Sequence, residues 1–145
     1  MTTTPQFPER MTAEGFTGFG AGHLPGLLGL SITSLTPQVV ESRLTLRRDL
    51  MAPNGFLHAA TVIALADTSC GYGCVANLPE GASGFTTIEL KANFLGTARE
   101  GVIVCRATPV HVGRSTHVWD AAVMSEANGA RIALFRCTQM ILWPK

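Results

Sequence analysis

Residues 59–76 read AATVIALADTSCGYGCVA. The run is rich in alanine, free of proline and followed by Asn77-Leu78-Pro79, which predicts one long helix rather than a strand. Within it stands one carboxylate, Asp67, and no other charged side chain, so the helix is expected to be buried nearly all round. Upstream, residues 27–35 and 39–46 read as two strands turning at Thr36-Pro37-Gln38. Downstream the period switches to two: Thr86, Ile88, Leu90, Ala92 and Phe94 alternate with Phe85, Thr87, Glu89, Lys91 and Asn93. Residues 102–112, 115–125 and 130–142 continue as an antiparallel meander, separated by the turn signals Arg99-Glu100-Gly101, Val112-Gly113-Arg114 and Ala127-Asn128-Gly129. The order β, β, α, β, β, β, β predicts an α+β domain in which one sheet is covered by a single helix.

The 145 residues suffice for one domain, assigned to 24–145, behind a flexible N-terminal arm, 1–23, with one short helical turn near 11–16. A chain 46% hydrophobic, 14% charged and of net charge +1 is too apolar for disorder and has no basic field for nucleic acid. So few charges leave apolar surface to be covered by another subunit, which predicts a homo-oligomer. Cys70, Cys74, Cys105 and Cys137 lack the spacing of a metal site or a disulfide scaffold and read as reduced core thiols. The opening MTTTPQFPER has no apolar leader, and no membrane span is expected; the location implied is cytoplasmic.

Asp67 shares a helical stripe with Ala60, Ile63, Cys70 and Cys74, none of which supplies a cation. Two readings follow. Either Asp67 hydrogen-bonds locally, to Thr68 or Ser69, and stitches the core, or it is a desolvated carboxylate serving as a base. Residues 52–58 form a loop into the helix, whose free first-turn N–H groups at Ala59 and Ala60 could polarise a carbonyl oxygen. His58 and Asp67 lie about 13 Å apart along the helix, too far to share one carbonyl, so a composite site across a twofold dimer is expected. Gly71 and Gly73 cost helix stability and are read as packing residues.

The segments NGFLHAATVIALADTSCGYG (54–73), TTIELKANFLGTAREG (86–101) and HVGRSTHVWDAAV (111–123) resemble the hotdog-fold acyl-CoA thioesterases of the phenylacetate-degradation type. The resemblance spans roughly residues 24–143. His58, Asp67 nine residues later, the T-x-E-L-x-x-N-F run from Thr87 to Phe94 and the Gly113-Arg114 turn carry it. It implies an antiparallel sheet wrapped around one central helix, and hydrolysis of acyl-CoA to free acid and coenzyme A. Coenzyme A is then part of the substrate; no separate cofactor and no metal are implied. In such enzymes the helix carboxylate is nucleophile or general base and the N–H after the histidine holds the carbonyl oxygen. Those roles fall on Asp67 and Ala59, with Asn54 either polarising the carbonyl or forming a turn with Gly55. His58 would orient the loop, cap the helix or touch the thioester. Near the loop, Met51, Phe56 and Leu57 offer apolar walls for the acyl group; Thr87 and Gly113 are expected at the acyl-CoA, and Arg99 and Arg114 either meet coenzyme A phosphates or are solvated.

The chain departs from the family pattern in three places. His58-Ala59-Ala60 replaces His-Gly-Gly, Ala52 stands where a loop amide often lies, and Gly71 stands where some relatives carry a hydroxyl. His111 and His117 are expected to be structural, and Trp119 and Trp143 core. The loops of the fold's dehydratases are absent, and the remaining alternative is a non-catalytic acyl-CoA-binding module.

Overall fold

The structure, a computed structural model, describes residues 7–145. Two short helices, α1 (Ala13–Phe19) and α2 (Leu24–Leu28), precede strands β1 (Ser31–Thr36) and β2 (Val39–Thr45). The long helix α3 (Ala59–Ala76) leads to β3 (Gly84–Phe94), β4 (Val102–Val112), β5 (Thr116–Ser125) and β6 (Arg131–Leu142). All six strands form one antiparallel sheet in the order β1-β2-β4-β5-β6-β3, with α3 packed on its inner face. This is the α+β arrangement expected, a sheet around one central helix.

The N-terminal region corrects two expectations. Residues 27–35 were read as one strand, but Pro25 stands in the first turn of α2 and Gly29, at φ 82°, ends that helix before β1 begins. The arm was expected to be flexible to residue 23. Instead Phe16 of α1 is fully buried with its ring 4.8 Å from that of Tyr72, and the Thr17 hydroxyl accepts the Ile32 N–H at 2.8 Å. Burying one aromatic ring and anchoring a strand end offset the conformational entropy of a glycine-rich segment. The arm's residues 1–6 lie outside the described part.

β4, β5 and β6 form the expected meander, but β3 joins it beside β6, at the sheet edge. Its alternation is broken by a bulge between Thr87 and Glu89. Phe85 and Thr87 lie opposite the buried Ile141 and Gln139, whereas beyond the bulge it is Leu90 and Ala92 that lie opposite the buried Cys137 and Phe135. One extra residue thus changes which set of side chains faces inward. Ile88, Leu90 and Phe94 leave much of their surface exposed along this edge.

Helix α3 is long and apolar enough to cross a bilayer, but most of it is buried against the sheet as a core helix. Its burial is not all round. Ala60 is exposed, and Ile63, Ala64, Asp67 and Thr68 are only half-buried, at the spacing of one helical stripe. Toward its C-terminal end the helix meets the sheet through its two interior glycines. A β-carbon on Gly71 would come within 2.9 Å of the Phe85 ring, and one on Gly73 within 2.4 Å of the fully buried Trp119 ring. The packing reading holds, with aromatic rings of the sheet as the neighbours. Gly73→Ala should destabilise the protein by about 1 to 3 kcal/mol despite alanine's better helix propensity, because the ring has nowhere to move. Urea unfolding of both proteins checks this, and an unchanged midpoint would refute the close approach.

Candidate active site

The helix entrance is built by residues 50–61. Thr61 Oγ1 donates to the Leu50 carbonyl at 2.8 Å, tying the first turn of α3 to the preceding loop. His58 caps the helix: its Nδ1 accepts the Ala60 N–H at 2.9 Å, and its carbonyl accepts the Thr61 N–H at 3.0 Å. Nδ1 therefore carries no proton, and a neutral ring holds its proton on Nε2. Among the described residues no group accepts the Ala59 N–H, which is left pointing out of the helix end beside an exposed side chain.

Asn54 takes part in a turn. Its Oδ1 accepts the Phe56 N–H at 3.3 Å around Gly55, at φ 87°, while its amide nitrogen makes no hydrogen bond among the described residues. Phe56 is exposed and lies 5.5 Å beneath the Arg99 guanidinium, whereas Leu57 is buried and donates its N–H to Thr97 Oγ1 at 3.1 Å. The acyl-wall candidates thus divide: Phe56 faces outward and Leu57 belongs to the core.

Asp67 sits midway along α3, half-buried on the open stripe. Its partner is neither Thr68 nor Ser69; the Ser69 hydroxyl is engaged with the Leu65 carbonyl and Ser42 Oγ, each at 2.7 Å. The hydroxyl of Thr87, on β3, lies 3.1 Å from Asp67 Oδ1 instead. Burial raises the Asp67 carboxyl above the ordinary aspartate range, and the Thr87 hydrogen bond only partly opposes this. No cation pairs with it among the described residues. The arrangement is that of a carboxylate made more basic by desolvation and held by one neutral donor.

Thr87 Oγ1 also lies 2.8 Å from Oε1 of Gln139, which is fully buried on β6. Across β5 and β6, His117 stands directly opposite Gln139. His117, expected to be structural, is fully buried, and neither ring nitrogen has a hydrogen-bond partner among the described residues. Burial lowers its pKa, with the nearby Gly113 backbone acting in the other direction. Sequence reasoning missed Gln139, although the signal was available: it falls in the buried phase of β6, between Cys137 and Ile141.

The Gly113-Arg114 turn joins β4 to β5 close to His117. Arg114 is exposed, with its guanidinium 4.5 Å from the Trp143 ring, and Trp143 Nε1 donates to the Arg114 carbonyl at 3.3 Å. Trp143 is therefore a half-buried surface residue, whereas Trp119 is core as expected. Gly113 closes the hairpin, donating its N–H to the Thr116 carbonyl at 2.9 Å. One chain unites Asp67 with Thr87, His58 with the helix start, and Arg99 with Phe56. It does not unite Asp67 with Ala59, which stay two turns apart on the same helix.

A family model described as "Thioesterase superfamily" matches residues 54–131. Across 136 residues the chain is 26% identical to a 1,4-dihydroxy-2-naphthoyl-CoA hydrolase of Escherichia coli, covering 92% of this chain and 96% of that one. Among solved structures, a thioesterase family protein from Silicibacter pomeroyi is 32% identical with a TM-score of 0.79, covering 88% of this chain and 94% of the other. A thioesterase from Haemophilus influenzae is 25% identical with a TM-score of 0.85 and covers 95% of both.

Proposed function

Because the chain belongs to the thioesterase superfamily, and with it to the thioester hydrolases of the hotdog fold, we propose that it hydrolyses acyl-CoA thioesters carrying uncharged aryl or medium-chain acyl groups. The observation that carries this reading is Asp67: a half-buried carboxylate of raised basicity, held by a single neutral hydroxyl. Asp67 either attacks the thioester carbonyl carbon, forming an anhydride that water then hydrolyses, or takes a proton from the water that attacks it; in both routes the C–S bond breaks and the coenzyme A thiolate leaves to be protonated. The Ala59 N–H receives the developing oxyanion at the positive end of α3.

Both groups meet one substrate only when two copies pair with their α3 helices antiparallel, so the active unit is a homodimer with its sites at the interface. The half-buried α3 stripe and the apolar β3 edge support that pairing, since each leaves surface for a partner to cover. The His58-Ala59-Ala60 sequence is compatible with it, because the Ala59 side chain is exposed and its N–H is free. Arg99, stacked on Phe56 and outside any ion pair among the described residues, could meet a coenzyme A phosphate; Arg114 is the second such cation.

The aryl preference draws support from the similarity to a naphthoyl-CoA hydrolase and from the absence, among the described residues, of any cation paired with Asp67 to receive a charged acyl tail. Comparing kcat/KM for phenylacetyl-, benzoyl-, hexanoyl- and succinyl-coenzyme A tests this, with succinyl expected to be poorest. Succinyl leading the ranking would overturn the substrate assignment. A flat, slow response to all four would leave an acyl-CoA-binding module.

A further inference from the structure

The hydrogen count around Thr87 does not close in a single arrangement. Its hydroxyl has one proton but lies 3.1 Å from Asp67 Oδ1 and 2.8 Å from Gln139 Oε1. If Asp67 is ionised it can only accept, so Thr87 must donate to it and must itself accept from Gln139. That requires the amide nitrogen, not the oxygen, to face Thr87. If Asp67 is protonated the count reverses: Asp67 donates to Thr87, and Thr87 donates to the amide oxygen, which is the orientation observed.

The far end of the amide fits both states. Gln139 Nε2 lies 3.4 Å from Cys137 Sγ, a group that accepts weakly through sulfur and donates weakly through S–H. With the amide turned, Cys137 S–H donates to Oε1, Nε2 donates to Thr87, and Thr87 donates to the carboxylate, so all three bonds point toward the charge. A fully buried glutamine must take one orientation or the other.

We propose that Gln139 is a positioning residue whose amide orientation is tied to the charge on Asp67, its nitrogen facing Thr87 when the carboxylate is ionised and its oxygen facing Thr87 when the carboxyl is protonated. Its catalytic meaning rests on Asp67 acting as the base. In the working state the amide fixes the Thr87 proton on the carboxylate, and when Asp67 takes a proton the relay turns over as a unit. The ionisable groups facing this row are Cys70 on α3, Cys105 on β4, His117 on β5 and Cys137 on β6. The hydrogen bond with Cys137, and then burial, disfavour the charged form of Cys70, and burial does the same for Cys105 and His117, so these three bring no competing charge.

The test uses the wild-type chain, isotopically labelled, with the Gln139 side-chain amide and the Asp67 carboxyl carbon followed by NMR across the acid range. The two should shift with one midpoint, and the amide shift should vanish in Asp67→Asn. An amide that stays fixed while Asp67 titrates overturns the linkage, whether or not the protein hydrolyses thioesters. In the enzyme assay, Gln139→Met should raise the acid-limb midpoint of kcat/KM by about half a pH unit or more, because the ionised carboxylate loses support. In a Thr87→Val background the same substitution should change the profile by less than about twofold, because Gln139 acts through Thr87. An equal effect in both backgrounds would make Gln139 merely structural and refute its positioning role.

Discussion

Replacing Asp67 with Asn should lower kcat by at least about 100-fold while leaving the melting temperature at pH 7 unchanged or higher. The rate falls because the amide cannot accept a proton or attack the carbonyl. The stability prediction follows from the direction of the pKa shift. Burial raises the folded-state value above that of the unfolded chain, so the folded state holds the proton more tightly. The resulting stabilisation is present below the ordinary aspartate value and is lost as pH rises through the folded value. At neutral pH the ionised side chain is therefore a burden on folding, and Asn removes the charge while its carbonyl can still accept from Thr87. For the same reason the acid limb of wild-type activity should lie above the ordinary aspartate range. Steady-state kinetics and thermal melts on the two proteins check both halves. A folded variant with the wild-type rate would remove Asp67 from the chemistry.

The second large effect concerns subunits. Ala59→Pro should abolish most activity, by about 100-fold or more, because it deletes the one N–H assigned to the oxyanion. It should do so without breaking the helix. Ala59 is the first residue of α3, where proline is tolerated, and His58 already has the extended backbone (φ −65°, ψ 132°) that a following proline requires. Mixing Ala59→Pro with Asp67→Asn should then restore activity after subunit exchange, since a hybrid dimer retains one intact composite site. No recovery despite exchange, verified by mass spectrometry of the mixed assembly, would confine the site to one chain.

Much of this was legible in the sequence. Helix α3 was readable to its ends because an alanine-rich run bounded by a loop and by Asn77-Leu78-Pro79 leaves no competing structure. Asp67 stood out as the one charge within it. Less legible was whatever depends on contacts remote in the chain. Residues 24–28 became α2 through a proline at its start and a left-handed glycine at its end, signals that an apolar run obscures. The β3 bulge was invisible to a strict period of two, so the partner of Asp67 could not be read from alternation alone. Gln139 needed only its phase within β6 to be noticed, but its link to Thr87 spans 52 residues and requires the strand order.

The β3 edge has a meaning beyond the site. It is 11 residues long, and Ile88, Leu90 and Phe94 expose much of their apolar surface along it. An open strand of that kind is a template for any extended peptide, including an incompletely folded copy of the same chain. Among its side chains Lys91 is charged and exposed, a residue type that discourages strand addition. In the proposed dimer, solubility is thereby coupled to the speed of covering the edge. At the low concentrations of early synthesis the chain depends on Lys91 and Glu89 as gatekeepers, and a substitution of Lys91 by an apolar residue would surface first as lost expression rather than as lost turnover.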